Sequence, residues 1–304
     1  MSAATRELSS GHEARLEADE HGHALVIDGI MQSHIGDPAA PPRHASARWV
    51  LAAALSALEA SATGAADAGG GARDASDAVL HLGGGALTIP RLLQHASPSL
   101  RQRVIELEPA LVDLVLEVIP PPAGIELEIG DGRAALERVT DPLALVTTDV
   151  FGGGRVPAAF TSLEFYRAAS AALLPAGALI VNSVDGPPLH FLRQQLATAR
   201  AAFDHVALIA TGSTLAGARF SNVVLLASRA PLPLDAIRSR LRGEQPPVAV
   251  LGWRRLERFV ADTAPEPVTD ATAVGSPTLV RAAYLDGPAG GPVSLPPSLT
   301  EPID

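Results

Sequence analysis

The stretch VLHLGGGALTIPRLL, from Val79 to Leu93, is an apolar run that ends on three glycines and then reads as a helix. This order predicts a buried strand, a tight turn at Gly83, Gly84 and Gly85, and a helix that begins after Ala86. Glycine lets the backbone turn sharply and lets a ligand lie against it, and amides that open the next helix can face that ligand. The same turn can also serve only to join a strand to a helix, and both interpretations stay open.

Apolar runs and helical segments continue to alternate from residue 76 to about residue 230. The runs are almost wholly apolar, which is typical of parallel strands that are covered on both faces. The sequence therefore predicts an α/β fold with a doubly wound, mostly parallel, seven-stranded Rossmann-like sheet. The last two strands are expected to form an antiparallel edge pair. Short alternating runs within residues 12–36 predict a small N-terminal antiparallel β unit.

These patterns divide the chain into four segments. They are an N-terminal β-hairpin unit with a helix at 1–60, a flexible linker at 61–76, a nucleoside-binding Rossmann-like domain at 77–230, and a C-terminal extension at 231–304 that carries a helix and ends in a disordered, Pro-rich tail.

Composition excludes several classes of function. The formal net charge of −10 argues against a nucleic-acid binder, which would present a basic face. The absence of cysteine excludes disulfides, thiolate metal sites and a cysteine nucleophile, and the histidines lack the acid-rich spacing of a metal site, so we expect no metal. The N-terminus lacks the apolar core of a signal peptide, and no uninterrupted apolar segment reaches the ~20 residues of a membrane span, so we expect a cytoplasmic protein that does not bind membranes.

Acidic residues stand where the second, third and fourth predicted strands end. In a doubly wound sheet, ligands bind at the carboxyl ends of the strands, where the strand order reverses. Glu106 lies 21 positions beyond Gly85, a spacing at which an acid can accept both hydroxyls of a ribose. Asp131, followed by Gly132, can accept from the exocyclic amine of adenine or act as an ordinary helix N-cap. Asp149 can hold or deprotonate an amine.

Five motifs in this order resemble the spermidine synthase family, the aminopropyltransferases built on the class I methyltransferase fold. The resemblance runs from about Leu25 to Ser228. Its motifs are LVIDGIMQSH, LGGGALTIPR, VIELEP, GDGRAAL and VTTDVFGG.

The resemblance implies a mechanism and a set of roles. Decarboxylated S-adenosylmethionine would bind over the glycine turn, and a small-molecule amine would displace methylthioadenosine from it, as in polyamine biosynthesis. Gln32 and Glu106 would hold the ribose and Asp131 the adenine. Asp149 would orient and deprotonate the attacking amine.

The sequence departs from the family in the half of the site that would bind the amine. The family has an aspartate where this chain has Ala86, and usually a second acid where it has Gly152. We expect Ser46 at the position of the family's tyrosine in the early helix. Because a buried dication needs compensating carboxylates, a single aspartate supplies too little negative charge to balance a diamine. Arg155, if it faced the site, would favour a carboxylate, although solvent is its more ordinary environment.

Three hypotheses therefore remain. The first is an aminopropyltransferase-like enzyme, which the hairpin with Gln32 favours. The second is a methyltransferase that uses intact S-adenosylmethionine, and the third is a non-catalytic nucleoside-binding homologue that acts through homodimer contacts of its N-terminal region. The departures at Ala86, Gly152 and Arg155 favour the second or the third.

Overall fold

The computed structural model describes residues 4–67, 77–261, 263 and 265–278, whose strands form two sheets. The small sheet contains β1 (Ala4–Glu7), β2 (Glu13–Asp19), β3 (Gly22–Ile27) and β4 (Ile30–Gly36). The large sheet contains β5 (Ala78–Leu82), β6 (Arg101–Glu106), β7 (Ile125–Ile129), β8 (Leu143–Thr148), β9 (Leu173–Asp185), β10 (His205–Thr211), β11 (Ser221–Ser228) and β12 (Val248–Gly252).

The described ranges also form nine α-helices and a short 3₁₀ turn at Ala158–Phe160. The helices are α1 (Ala45–Asp67), α2 (Thr88–Ala96), α3 (Pro109–Val118), α4 (Gly132–Glu137), α5 (Leu163–Ala172), α6 (His190–Arg200), α7 (Gly212–Leu215), α8 (Leu234–Arg240) and α9 (Trp253–Ala261). None of these helices has the length and apolar character that crossing a membrane requires.

The large sheet has the spatial order β12-β10-β11-β9-β8-β5-β6-β7. Strands β7, β6, β5, β8 and β9 pair in parallel, while β11, β10 and β12 add to β9 through antiparallel pairs. The predicted α/β class, the mostly parallel Rossmann-like sheet and the small antiparallel N-terminal unit are confirmed. Chain order reverses between β5 and β8, so the crevice that binds ligands in such folds lies at their carboxyl ends.

The sheet has eight strands, one more than predicted. β10 and β11 are antiparallel as expected, but they are not at the edge, because β12 pairs with the free side of β10. The prediction missed β12 because it is a five-residue run that follows Pro-Pro in a weakly patterned region.

Helix α1 is longer than predicted, and it covers one face of the large sheet. It continues to Asp67, past the predicted linker start at residue 61, because alanine-rich sequence favours a helix. It also packs on the large sheet rather than on the N-terminal unit, since Trp49 and Ala53 share an apolar cluster with Ile180 of β9. The rest of the predicted linker, 68–76, and the Pro-rich tail, 288–304, lie outside the described residues.

The small sheet packs against the end of the large sheet that bears the glycine turn. Its buried residues Leu16, Leu25 and Ile35 form one apolar cluster with Leu114 of α3 and with Ala86. Ala86 is 2% exposed. The residue after the glycines is therefore a small apolar contact that joins the two sheets.

The part of the C-terminal extension at residues 265–278 has no regular secondary structure and lies against the connection between β8 and α5. The backbone amide of Ser276 donates to the Val156 carbonyl at 2.9 Å, and the Val156 amide donates to the Ser276 hydroxyl at 2.9 Å. The Leu163 amide donates to the Val268 carbonyl at 2.7 Å. This segment thereby fixes the chain that follows Asp149.

His81 lies in the middle of β5 and is 1% exposed. Its Nδ1 lies 2.7 Å from the Thr147 hydroxyl and its Nε2 lies 2.9 Å from Oε1 of Gln102. The amide oxygen can only accept, so Nε2 carries the proton and Nδ1 accepts from Thr147. Burial lowers the pKa of His81 from 6.5 to about 4, since charging the ring would cost its hydration.

We predict that His81 makes the fold acid-sensitive. Its pKa is lower in the folded chain than in the unfolded chain, so between pH 6.5 and about 4 the unfolded chain binds a proton that the folded chain does not. As the pH is lowered through this range, the unfolding free energy of the wild type should therefore decrease more steeply than that of His81→Gln. The difference in slope should be about 1.4 kcal/mol per pH unit. Chemical denaturation across this range measures the difference, and parallel pH profiles would contradict the prediction.

Candidate functional site

The tips of β5 and β8 touch at the point where strand order reverses. The Asp149 amide donates to the Leu82 carbonyl at 2.9 Å, so the chain leaving β8 lies directly beside the glycine turn. A Cβ on Gly83 would collide with the Asp149 carbonyl oxygen, and Gly83 also has a φ of +86°. Glycine is required there for both reasons. The turn thus brings two predicted site residues together at one crevice.

The Glu106 side chain holds the other side of the glycine turn. Its Oε2 accepts from the backbone amides of Gly84 and Gly85, both at 2.8 Å, and its Oε1 accepts from the Glu108 amide at 3.1 Å. Hydrogen bonds to an ionised carboxylate are stronger than bonds between neutral groups. The carboxylate therefore fixes the turn, and Oε1 keeps a lone pair for one further donor.

A small pocket adjoins this carboxylate. It is a shallow depression, open to solvent, between the glycine turn and α3, and its lining includes Gly85, Glu106, Val115 and Leu127. One polar group thus stands over an apolar floor, which is the ordinary composition of a small-molecule site.

Two large apolar side chains beside Glu106 are exposed. Leu107 is 68% exposed, and Ile129, the register partner of Glu106 on β7, is 52% exposed. Both therefore leave apolar surface open to solvent near the Glu106 carboxylate.

Asp131 lies at the tip of β7 and caps α4. Its Oδ1 accepts from the Ala134 amide at 2.7 Å, so the ordinary N-cap role expected for it is present. Asp131 is exposed, and the cap contact engages only one of its two carboxylate oxygens. Gly132 follows as the first residue of α4, where a Cβ would lie 3.4 Å from the Phe160 ring.

Gln32 is not hydrogen-bonded to the other predicted site residues. It lies where the β3–β4 register shifts, as the extra residue of a bulge, and it is exposed. Its amide donates to the Ile30 carbonyl at 3.4 Å. The bulge aims the side chain away from the regular face of β4, which sequence spacing could not show.

Asp149 is accessible to solvent, yet protein atoms surround it on most sides, as at the floor of a cleft. The resulting loss of hydration raises the pKa of its carboxyl. A hydrogen bond from the Asn182 amide to its Oδ1, at 2.8 Å, opposes this rise in the pKa, and the negative charge of Glu106 reinforces it.

Sequence reasoning missed Asn182 and its neighbour Asn222. The Asn222 amide donates to Oδ1 of Asn182 at 3.2 Å, which continues the contact away from Asp149. Both residues stand in strands that were recognised only by their apolar pattern. A polar residue interrupting such a run was the available signal.

The positions at which the chain departs from the spermidine synthase pattern have structural roles. Gly152 and Arg155 close a tight turn, with the Gly152 amide donating to the Arg155 carbonyl at 2.9 Å. The Arg155 guanidinium donates to the carbonyls of Gly275 at 3.3 Å and Ser276 at 3.1 Å. Arg155 is therefore engaged by the C-terminal segment. Ser46, the residue expected at the family's tyrosine position, is half-buried in the first turn of α1.

Within the described ranges, no group of three or more His, Asp or Glu side chains is arranged to hold a metal ion.

Comparison with solved structures gives three informative matches. A probable spermidine synthase from Corynebacterium glutamicum is similar over 88% of this chain and 96% of that chain, with a TM-score of 0.76 and 28% identity. The spermidine synthase from Thermotoga maritima has a TM-score of 0.55 at 14% identity over 80% of this chain and 77% of its own. A spermidine synthase in complex with the transition-state analogue AdoDATO has a TM-score of 0.54 at 14% identity, over 79% and 76%. No protein-family model and no curated protein matches the sequence.

We predict that Glu106→Gln loosens the glycine turn. The amide side chain has one accepting oxygen, so it cannot serve both Glu108 and the amides of Gly84 and Gly85. Either the amide protons of Gly84 and Gly85 or the backbone amide proton of Glu108 should exchange at least about tenfold faster. The reason is the loss of a hydrogen bond to a charged group. Hydrogen-exchange NMR measures this. Glu108→Gln is the matched control, and equal exchange rates in both variants would refute the role of Glu106.

Proposed function

We propose that this chain, which has the fold of a divergent spermidine synthase-like protein of the class I methyltransferase type, is an aminopropyltransferase. It would transfer the aminopropyl group of decarboxylated S-adenosylmethionine to a small-molecule amine. The observation that carries the proposal is the pairing of two carboxylates across one crevice: Glu106 on the amides of the glycine turn, and Asp149 at the neighbouring strand tip.

The nucleoside half of this proposal rests on the surroundings of Glu106. Its Oε1 can accept one ribose hydroxyl while the carboxylate continues to hold the glycine turn. The exposed side chains of Leu107 and Ile129 offer an apolar surface to the adenine ring. Asp131 has a carboxylate oxygen that the helix cap does not use and that can accept from the exocyclic amine. Gln32 would close over the ribose from the small sheet.

The transfer half rests on Asp149. Its carboxylate would accept a proton from the acceptor ammonium, or from the amine as it attacks. The neutral nitrogen then forms a bond to the methylene next to the sulfonium. The carbon–sulfur bond breaks, its electron pair goes to sulfur, and methylthioadenosine leaves. A carboxyl whose pKa is raised is better matched to this proton transfer near neutral pH than an ordinary aspartate.

Methyl transfer from intact S-adenosylmethionine is the second candidate, and Ala86 favours it. By resemblance to the family, a carboxylate at this position would bind the ammonium of the aminopropyl group. Ala86 instead is enclosed by apolar side chains of the small sheet and α3. The position therefore has no charge for that ammonium. The sulfonium, which both donors carry, would be handled in the same way by either enzyme.

We predict that nucleosides bind and that their ranking identifies the donor. Calorimetric titration of methylthioadenosine, S-adenosylhomocysteine and S-adenosylmethionine should show tightest binding of methylthioadenosine if the aminopropyl reaction is correct. Tighter binding of the two carboxylate-bearing ligands would support methyl transfer instead. Leu107→Ala should weaken every ligand by about tenfold through lost apolar contact, whereas Leu8→Ala, in the connection between β1 and β2, should not. Absence of binding by all three ligands would refute both candidates.

We also predict that Asp149→Asn lowers amine-dependent release of methylthioadenosine by about 10²–10⁴-fold, the usual contribution of a general base. Affinity for methylthioadenosine should stay unchanged, because Glu106 and the glycine turn are untouched. In the wild type the rate should fall as pH drops through the raised pKa of Asp149, at a higher pH than an ordinary aspartate would give. Unchanged release by Asp149→Asn would eliminate Asp149 as the base.

A further inference from the structure

The chain contains two asparagines in 304 residues, and both belong to one hydrogen-bonded chain that ends at Asp149. We propose that Asn182 and Asn222 are positioning residues that fix the orientation of the Asp149 carboxyl and keep its Oδ2 free for the acceptor. The catalytic part of this inference rests on the proposed function, and its electrostatic part does not.

The three residues stand on three adjacent strands. Asp149 follows β8, Asn182 lies in β9 and Asn222 lies in β11, and these strands are neighbours in the sheet. Asn182 donates to Oδ1 of Asp149 at 2.8 Å, and Asn222 donates to Oδ1 of Asn182 at 3.2 Å. The hydrogen-bonded chain therefore runs across the carboxyl end of the sheet, from the reversal point towards its antiparallel side.

The chemistry of the two contacts sets the direction of the amides. A carboxylate only accepts, so Asn182 must turn its NH₂ towards Asp149 and its oxygen away. Asn222 then donates to that oxygen, which holds the Asn182 amide in this orientation and polarises it towards the carboxylate. Within the described ranges, no other side chain bonds Asp149, so Oδ2 remains available at the cleft.

Asparagine is an unusual choice for these positions. It is depleted in strands, and Asn182 is 6% exposed in a strand whose neighbours on the same face, such as Ile180, are core residues. An apolar residue would pack there without the cost of burying an amide. Two amides placed in sequence beside the Asp149 carboxyl therefore serve that carboxyl.

The test measures the Asp149 pKa directly. Carboxyl ¹³C NMR follows the titration, and the Asp149 resonance is assigned by its loss in Asp149→Asn. Asn182→Leu should raise the Asp149 pKa by about one unit, a tenfold change in proton affinity, because the bond that favours the charged form is gone. Glu106, the charged group that also acts on Asp149, is unchanged in this variant.

Asn222→Asp tests the second link. An ionised carboxylate there would accept rather than donate, so the Asn182 amide would turn its NH₂ away from Asp149 and the Asp149 pKa would rise. Ser221→Asp is the matched control, because it adds the same charge on the neighbouring residue, which faces the opposite side of β11. The control should produce a clearly smaller rise in the pKa.

Kinetics separate positioning from mere stability. Asn182→Leu should lower kcat for methylthioadenosine release by about tenfold or more and move the acid limb of the rate profile to higher pH, without changing methylthioadenosine affinity. If the wild type binds no nucleoside, the proposed function fails. The pKa shifts still show whether Asn182 and Asn222 act on the Asp149 carboxyl. An unchanged Asp149 pKa in folded Asn182→Leu, or equal shifts in Asn222→Asp and Ser221→Asp, would overturn the inference.

Discussion

The carboxylate of Glu106 links the tip of β6 to the turn that follows β5 through hydrogen bonds, and the rest of the site is arranged around this contact. Because Gly84 and Gly85 have no side chains, their amides can converge on one carboxylate oxygen. The same turn places Gly83 against the backbone of Asp149. A single local conformation thus sets the distance between the side that would bind a nucleoside and the side that would carry out chemistry.

The two halves of the crevice differ in their electrostatics. Around Glu106 the charge is met by backbone amides and the neighbouring surface is apolar. At Asp149 a side-chain amide stabilises the charged carboxylate, whereas loss of hydration destabilises it. One carboxylate is therefore part of the scaffold of the turn, while the pKa of the other is raised, as suits an acid–base group.

Sequence alone was sufficient for the features that depend on neighbours along the chain. The glycine turn, Glu106 and Asp149 each follow directly from a strand end, and the alternation of strands and helices fixed the class of fold. Contacts between distant strands could not be read in this way. Asn182 and Asn222 are 40 positions apart, and their link depends on the register of β9 against β11. The exposure of Gln32 depends on a bulge, and β12 on a pairing partner that a five-residue pattern does not specify.

The C-terminal segment at 265–278 holds the connection between β8 and α5 from a remote part of the chain. Val156 and Ser276 exchange two hydrogen bonds although 120 positions separate them, and Arg155 adds its guanidinium to the same contact. These contacts anchor the far end of the loop that leaves Asp149. A substitution that removes the Ser276 hydroxyl would therefore leave the Val156 amide without this partner and alter the loop from a position remote in sequence.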